Sequence, residues 1–407
     1  MGTERQGEMP APPRNPARRH PIAMVVRILV NAASARMGGS ATHLPNFLET
    51  AGRRYPSDTF VACVNVRWPA PDLPANVRLV RTGELRGRLA HAAWDQWGVS
   101  RVAAREHVDV LVSLLNFGPV RPPVPHVLFQ RNPTYFCEYY LRSLTRRQAL
   151  EVAAVRGLAH AAMRGARRIV TPSAAMRDMI RTFYPDLPEE RFRVVPHGFG
   201  LDVFRTALAL PDPAAAAIER SEGTRLLYVS HAASYKGVEI LLEATRLLRD
   251  AGISSTTWLT IAPDDWPEGF PRYEAFIERH ALTDRVTLLG RVPHGAVHHV
   301  YAAADLFVHP SLCESFAFPL VEAMASGLPI IAADRPLNHE MCGDAAIFYP
   351  PEDPAALAAE ITRLRGDEAR RRRMAAAGYA RAERFSWERH VDAVMEIVRG
   401  VAGTTSP

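Results

Sequence analysis

Short apolar runs alternate with amphipathic stretches along most of this chain. The runs of strand length fall at residues 24–31, 60–66, 77–80, 108–115, 126–130, 168–171, 192–195, 225–230, 258–262, 286–290, 306–309 and 328–333. Helical periodicity separates many of them, for example at 41–52, 87–107 and 238–249. Strands that alternate with helices predict doubly wound α/β domains with parallel sheets.

The length of 407 residues fits two such domains, and an apolar fraction of 47% is enough for two cores. We expect an N-terminal domain over 21–206 and a C-terminal domain over 223–385. The span 207–222 is rich in Ala and Pro and reads as a linker without a strong pattern. The tail 1–20 is rich in Pro and Arg and contains no apolar segment, so it is predicted to be disordered and not a signal peptide. The final segment, 386–407, begins with an amphipathic stretch.

One segment, 305–334, carries the pattern strand, loop, short helix, strand. Pro319 suits the first turn of the helix and Gly327 suits its end. Glu314 then falls in the loop before the helix, and Glu322 is expected in its first turn. Both carboxylates would lie at the carboxyl end of a parallel strand, where open α/β sheets bind ligands.

Between the two glutamates, the backbone N–H groups of Phe316, Ala317 and Phe318 are predicted to face an anion at the helix N-terminus. Carboxylates that accept from hydroxyl groups, beside N–H groups that hold phosphate, are the groups that a nucleotide-sugar requires. Taken alone, a first-turn glutamate usually complements the helix dipole and a loop glutamate is usually solvated. The wider pattern decides in favour of a binding site.

The segment ESFAFPLVEAMASGLPIIA resembles the signature of retaining GT-B glycosyltransferases of family 4, in which two glutamates are separated by seven residues. The resemblance is strong from about residue 167 to residue 399 and weaker before that. It implies two Rossmann-like domains that face each other across a cleft, with the segment 386–407 packed back on the N-terminal domain. By the same resemblance, Glu322 holds the ribose diol of the donor, Glu314 holds the hexose, and the leaving phosphate takes the proton of the acceptor.

The loop HAASYKG contains the only lysine of the chain, Lys236. In the family this loop carries Gly-Arg and then a lysine, and both cations bind the donor diphosphate. Here Ser230 and His231 replace the first pair. The resemblance therefore implies that Lys236 and His231 hold the diphosphate, although an arginine-rich chain could also retain one lysine by chance.

The N-terminal domain contains one loop that matches the family and one that departs from it. A Gly38-Gly39 pair precedes a helix, and in the family this loop approaches the donor phosphates. The pattern G-x-G-x-x-G is absent from this loop, which argues against a dinucleotide-dependent dehydrogenase. After the strand at 126–130 the family commonly has a His-Asp pair near the reacting sugar. Here Arg131 and Asn132 stand in that place, so either could replace the family contact, and Asn132 is our candidate catalytic residue. His197 is predicted to be a turn residue.

Composition limits the remaining choices. The four cysteines are widely spaced, which favours reduced thiols in a cytoplasmic protein and no metal cluster. No D-x-D motif occurs, in keeping with the metal independence usual for the GT-B architecture, so we expect neither metal nor cofactor. The net charge of +6 rests on scattered arginines, which favours an acidic substrate or an anionic membrane over nucleic acid. Arg27 interrupts the longest apolar run, so the protein is predicted to be soluble or peripheral at the inner face of the membrane.

These observations together indicate a retaining hexosyltransferase. It would move a hexose from a UDP- or GDP-sugar to a saccharide or lipid-linked saccharide acceptor, in the biosynthesis of cell-surface polysaccharide or glycan. Two alternatives remain open: a GT-B sugar-nucleotide epimerase, and a catalytically lapsed GT-B nucleotide-binding module. The sequence leaves the donor base, the hexose and the acceptor undetermined.

Overall fold

The computed structural model describes residues 25–35, 39–69, 71–200 and 209–403, and the structural statements below concern these residues. The strands are β1 Arg27–Ala32, β2 Thr59–Asn65, β3 Val77–Thr82, β4 Val110–Ser113, β5 His126–Phe129, β6 Arg168–Thr171, β7 Phe192–Val194, β8 Thr224–Tyr228, β9 Ser255–Leu259, β10 Val286–Leu288, β11 Leu306–His309, β12 Ile330–Ala333 and β13 Ala346–Tyr349. The helices are α1 Gly39–Arg54, α2 Gly87–Ala93, α3 Val99–Arg105, α4 Glu138–Arg142, α5 Arg146–Gly165, α6 Ala174–Phe183, α7 Asp212–Glu219, α8 Val238–Asp250, α9 Phe270–Arg279, α10 Val297–Ala303, α11 Phe318–Ala325, α12 Pro336–Cys342, α13 Pro354–Gly366, α14 Glu368–Ala382 and α15 Trp387–Ala402. The predicted tail 1–20, Gly38, residues 207–208 of the predicted linker and residues 404–407 lie outside the described residues.

Two parallel sheets organise the described chain. The first has the strand order β3-β2-β1-β4-β5-β6-β7, and the second has the order β10-β9-β8-β11-β12-β13. Strands such as β4, β5, β11 and β12 are buried along their whole length because helices cover both faces, which explains their continuous apolar runs. The predicted doubly wound α/β architecture is confirmed. In each sheet the strand order reverses at one point, between β1 and β4 and between β8 and β11.

The last helix, α15, packs on the N-terminal sheet. Its apolar face places Val391, Val394 and Val398 in one core cluster with Val30 and Val112 of β1 and β4. Arg54 of α1 donates to Asp392 of α15, and Arg399 donates to the buried Asp58 at 2.7 Å. The chain therefore crosses from the second sheet back to the first before it ends its described part.

Three segments differ from expectation. The predicted helix 87–107 is divided into α2, a π-helical turn at Trp94–Gly98 and α3. The predicted pattern-free linker contains α7, because a proline in its first turn and a run of alanines favour a helix. The 20-residue helix α5 was not predicted, although Thr145 and Gln148 form a capping box at its start.

Candidate functional site

The loops that follow β8 and β11 meet at the point where the second sheet reverses its strand order. Gly237, with φ of 71°, lets the first loop approach the second, because a Cβ at this position would lie 2.3 Å from the backbone oxygen of Pro310. The approach places Lys236 of one loop beside Glu314 of the other. The carboxyl ends of β8 and β11 thus supply the two halves of one charged site.

Lys236 and Glu314 form a largely buried ion pair. The Lys236 Nζ donates to Glu314 Oε1 at 2.6 Å, and Ser311 Oγ donates to the same oxygen at 2.9 Å. Burial alone would raise the pKa of the Glu314 carboxyl, but Lys236, the nearby His309 and these hydrogen bonds bring it below its ordinary value. No described residue donates a hydrogen bond to Oε2 of Glu314. The pair therefore keeps one carboxylate oxygen oriented and leaves the other available.

The side chains around this pair are mostly buried and uncharged. His309 Nε2 lies 3.9 Å from Glu314 Oε1, and burial lowers the pKa of His309 to about 4, so the imidazole is neutral. His231, in the predicted diphosphate loop, is exposed and lies with its Nε2 3.4 Å from the Tyr235 hydroxyl. Ser230 is half-buried just after β8. Ser311 and His309 were not singled out from the sequence, because their contact with Glu314 depends on how the loop folds.

Glu322 lies in the second turn of α11, not in the first turn as predicted, because the helix begins at Phe318 and places Pro319 at its second position. Its carboxylate is buried. Tyr301 donates its hydroxyl to Glu322 Oε2 at 2.7 Å, and the exposed His294 lies 3.9 Å from Oε1. Burial raises the pKa of Glu322, against the hydrogen bond from Tyr301 and the nearby His294.

Between the two glutamates, the chain turns into α11 at Phe316, Ala317 and Phe318. Within the described part of the chain, their backbone N–H groups have no hydrogen-bond acceptor. The aromatic rings of Phe316 and Phe318 pack against His197, with centroids 5.1 and 5.7 Å away. His197 lies in the loop after β7, and its imidazole is buried where these rings of the opposite domain contact it.

His197 belongs to a buried polar cluster in which Arg131 Nε donates to His197 Nε2 at 3.2 Å. His43 and His390 meet through their Nε2 atoms at 3.1 Å. The three histidines bring ring nitrogens within 4.8 Å of one another, a spacing that a metal ion could use. However, the adjacent Arg131 guanidinium disfavours a second cation, and burial lowers the pKa of all three imidazoles. Sequence separation hides this cluster, because its members come from four distant segments.

Asn132 makes no described contact with Lys236 or Glu314. Its Oδ1 accepts from the backbone N–H of Thr134 at 3.0 Å and caps the short 3₁₀ turn that follows. The Asn132 N–H in turn donates to Asn116 Oδ1 at 2.9 Å. The catalytic role of Asn132 stays a prediction. Gly39 is the first residue of α1.

A second cavity, of about 800 Å³, opens at the reversal point of the N-terminal sheet, beyond β1 and β4. Asp95 of the π-helical turn lines it, and Asn31 Nδ2 donates to Asp95 Oδ1 at 2.9 Å. Trp94 fixes Asn31 through a bond from its indole N–H at 3.1 Å, and Gln96 ties the same turn to the backbone of Val120. Burial raises the pKa of Asp95 to about 6. This carboxylate was not predicted.

The part of the chain that contains Lys236, Glu314 and Glu322 is similar to a known protein family. Residues 215–381 match the family described as glycosyl transferases group 1. The matched range contains all six strands of the second sheet, β8 to β13, and both Lys236 and Glu314. The resemblance of the segment around Glu314 and Glu322 to this group is thereby confirmed.

Curated relatives are similar to parts of this chain. The O-antigen chain mannosyltransferase B of Escherichia coli is 37% identical over 112 residues, which are 28% of this chain and 29% of that protein. The D-inositol 3-phosphate glycosyltransferase of Thermomonospora curvata is 29% identical over 256 residues, which are 60% of this chain and 59% of that protein. The chain thus spans less than two thirds of the length of either relative.

Solved structures are similar over nearly the whole chain. Sucrose-phosphate synthase from Thermosynechococcus elongatus gives a TM-score of 0.73 at 18% identity, covering 93% of this chain and 100% of that chain. HepE of Anabaena in complex with UDP-glucose gives 0.69 at 18% identity, covering 92% and 100%. The predicted GT-B fold, with two Rossmann-like domains, is confirmed. Among the described helices, we find none whose length and apolarity would suffice to cross a bilayer.

Proposed function

We propose that the chain is a retaining glycosyltransferase of family 4 that moves a hexose from a UDP- or GDP-sugar to a saccharide or lipid-linked saccharide. The observation that supports this most directly is the Lys236–Glu314 pair at the reversal point of the second sheet, with Glu314 Oε2 left available. In a nucleotide-sugar, one bond joins the diphosphate to the sugar ring. A cation can bind the diphosphate while an adjacent, oriented carboxylate accepts a hydrogen bond from a ring hydroxyl. The group 1 match over residues 215–381 covers this pair.

Each end of the donor has a candidate partner. Lys236 and His231 would bind the diphosphate, with the free N–H groups of residues 316–318 as further donors. Glu314 Oε2 would accept from a hydroxyl of the hexose. Glu322, which Tyr301 holds through Oε2 at 2.7 Å, would accept from the ribose diol through Oε1.

The reaction needs no carboxylate nucleophile in this proposal. The acceptor hydroxyl attacks the anomeric carbon on the face from which the diphosphate leaves, and the leaving phosphate oxygen takes the hydroxyl proton. Lys236 stabilises the negative charge that develops on the diphosphate, and Glu314 keeps the sugar ring in line. Side-chain cations and N–H groups perform the neutralisation that a metal would otherwise supply, so we propose a metal-independent enzyme without cofactor.

The cavity beside Asp95 is our candidate acceptor site. Its lining combines apolar side chains, among them Leu115, Val152 and Val155, with polar groups that include Asp95 and Asn116. A sugar ring has the matching character, with hydroxyl groups around a less polar face. This cavity and the Lys236–Glu314 pair lie at the carboxyl ends of the two parallel sheets, where transfer between two bound sugars would take place.

The relatives give a context for the pathway. One is named for an O-antigen chain and another for D-inositol 3-phosphate, and both names specify sugar transfer. We propose that this chain acts in the biosynthesis of cell-surface polysaccharide or glycan, in the cytoplasm or peripherally at the inner face of the membrane, where a lipid-linked acceptor would be accessible.

A donor panel tests the function. The full chain is incubated with UDP- and GDP-hexoses, and nucleoside diphosphate release and sugar products are measured. A thermal-shift panel of the same nucleotides identifies the base, because a ligand that binds only the folded state raises the midpoint. We expect diphosphate release with one base and retention at the anomeric carbon of the product. An epimerase would yield an isomer of the donor without diphosphate, and a lapsed binding module would shift the midpoint and leave the donor intact.

A further inference from the structure

Two of the four cysteines meet across the boundary between the domains. Cys137 is the N-cap of α4 in the N-terminal domain, and Cys313 immediately precedes Glu314 in the C-terminal domain. The Cys137 thiol donates at 3.7 Å to the backbone oxygen of Leu312, the residue that precedes Cys313, and the Cys313 thiol is the neighbour that lowers the pKa of Cys137 most. Both side chains are 2% exposed. Two thiols in contact, contributed by different domains, form a pair that a single covalent bond could join.

The two thiols differ in acidity. The hydrogen bond with Cys313 lowers the pKa of Cys137 to about 7, and the backbone N–H groups of Tyr139 and Tyr140 and the charge of Arg335 act in the same direction, against burial. Burial and the neighbouring Cys137 raise the pKa of Cys313. A thiolate is the reactive form of cysteine, so Cys137 is the nucleophile of the pair and Cys313 the thiol that resolves it.

The other two cysteines provide an internal contrast. Cys63 in β2 and Cys342 at the end of α12 are both buried, and burial raises the pKa of each to about 12. Neither has another described thiol beside it. Acidity and proximity therefore separate the Cys137–Cys313 pair from the rest.

We propose that Cys137 and Cys313 form an oxidisable dithiol, a modification site at which a peroxide converts the pair into a disulfide between the domains. The Cys137 thiolate attacks one peroxide oxygen, the O–O bond breaks, and a sulfenic acid and hydroxide are formed. The Cys313 sulfur then attacks the Cys137 sulfur, and the departing hydroxyl leaves as water with the Cys313 proton. In sum, two thiols are oxidised by two electrons and one hydrogen peroxide is reduced to two waters.

The disulfide would add a covalent bond to an interface whose other described contacts between the domains are noncovalent. Ser315 Oγ donates to the backbone oxygen of Arg131 at 2.5 Å, and Arg335 donates to the Tyr139 hydroxyl at 3.2 Å. Glu340 accepts from the first backbone N–H groups of α6 at 2.7 and 2.9 Å. A covalent bond one residue from Glu314 would hold the cleft closed. Because both thiols are buried in this arrangement, the peroxide reaches them when the domains separate.

The test uses the full chain and hydrogen peroxide. After graded oxidation, free thiols are alkylated under denaturing conditions and peptides are mapped by mass spectrometry without reductant. We expect one cross-linked species that joins the peptides of Cys137 and Cys313 and has lost two hydrogen atoms, while Cys63 and Cys342 remain alkylated. Dithiothreitol should reverse the link. If Cys137 and Cys313 are alkylated to the same extent as the other two cysteines at every peroxide dose, the proposal is overturned.

Variants sharpen the test. Cys63→Ser and Cys342→Ser should still form the link at the wild-type rate, whereas Cys137→Ser and Cys313→Ser should not form it. Oxidised wild type should also show a higher thermal midpoint that dithiothreitol returns to the reduced value, a shift absent in Cys137→Ser. A link that forms with an unchanged midpoint would contradict the clamp between domains. Neither measurement uses sugar transfer, so this proposal and the proposed function can fail separately.

Discussion

The two sheets each present a polar site at the point where strand order reverses, but the two sites are built differently. At the C-terminal site, Lys236 and Glu314 neutralise each other at 2.6 Å and their loops follow directly after β8 and β11. At the N-terminal site, Asp95 has no cationic partner in the described chain, lies on a π-helical turn and borders a cavity of about 800 Å³. The comparison indicates that one site is preorganised around a charge pair, while the other keeps a costly buried carboxylate for a ligand to use.

The largest expected effect is that of a substitution at Glu314, which tests whether the C-terminal site depends on its charge pair. Glu314→Gln keeps the shape of the side chain but removes the charge that Lys236 compensates. We expect donor turnover to fall about 10²- to 10³-fold, since the hydrogen bonds to the sugar strengthen in the transition state. Nucleoside diphosphate affinity should stay the same or increase, because Lys236 is released for phosphate. Calorimetric titration with the diphosphate and donor-turnover rates measure both, and a wild-type turnover rate in the variant would rule out the role proposed for Glu314.

The sequence predicts the parts of these sites that lie beside buried strands, and it does not predict the parts that depend on loop folding or packing. The bounds of β6 and β11 agree with prediction because both strands are buried apolar runs between helices. Glu314 was identified from its place in the loop after an apolar run together with the family signature, and Lys236 from the resemblance of its loop to the family. Ser311, which shares Glu314 Oε1 with Lys236, follows only from the folded loop. Tyr301, 21 residues from Glu322, is likewise placed by packing.

Asp95 could not be predicted for a related reason. The helical periodicity of 87–107 continues through the π-helical turn, so the sequence indicates one amphipathic helix. The extra residue in that turn changes the direction of Asp95. Asn31 stabilises the change by donating to the Asp95 carboxylate, and Gln96 does so by donating to the backbone oxygen of Gly118 and accepting from the N–H of Val120. The periodic signal thus predicts the helix but not its interruption. The sequence also does not predict the cluster of histidines around Arg131, because its members come from distant segments.

A second prediction separates charge compensation from phosphate binding at Lys236. Lys236→Met should weaken diphosphate binding by about 1.5 to 3 kcal/mol, the value of a charge-assisted hydrogen bond. It should also lower the free energy of unfolding, because the Glu314 carboxylate is left buried without its partner. Adding Glu314→Gln to Lys236→Met should restore much of the stability and none of the affinity. Denaturant unfolding and calorimetry test the pair of expectations.

Lys236→Arg is the matched control for that experiment. It keeps the charge but replaces a compact ammonium with a planar fork, so we expect intermediate affinity and near wild-type stability. Equal diphosphate affinity in the wild type and Lys236→Met would show that the lysine serves the ion pair alone.

A third, smaller effect is expected at Glu322. If its Oε1 accepts from the ribose diol, Glu322→Gln should weaken binding of the preferred nucleoside diphosphate by about 1 kcal/mol or somewhat more. The wild type should discriminate against the corresponding 2′-deoxynucleotide, and the variant should largely lose that discrimination. Tyr301→Phe, which removes only the hydroxyl that orients Glu322, should have the same effect at lower magnitude. Unchanged discrimination in Glu322→Gln would place the ribose elsewhere.

The smallest effect on transfer, and the one that most sharpens the contrast between the sites, is expected at Asp95. Asp95→Asn should raise the acceptor KM about five- to tenfold, which corresponds to about 1 to 1.4 kcal/mol, and leave donor hydrolysis by water unchanged.

Because burial raises the folded pKa of Asp95 to about 6, above its value of 3.8 in the unfolded chain, the fold loses stability as pH rises from 3.8 through 6. At pH 7 the ionised carboxylate therefore destabilises the fold, and Asp95→Asn should raise the free energy of unfolding by about 1 kcal/mol or more. The gain should become small near pH 3, where wild-type Asp95 is largely protonated in both states. Denaturant unfolding at the two pH values, with acceptor kinetics at pH 7, measures it, and a variant that is less stable at pH 7 would show that Asp95 supports the fold and is not held there for a ligand.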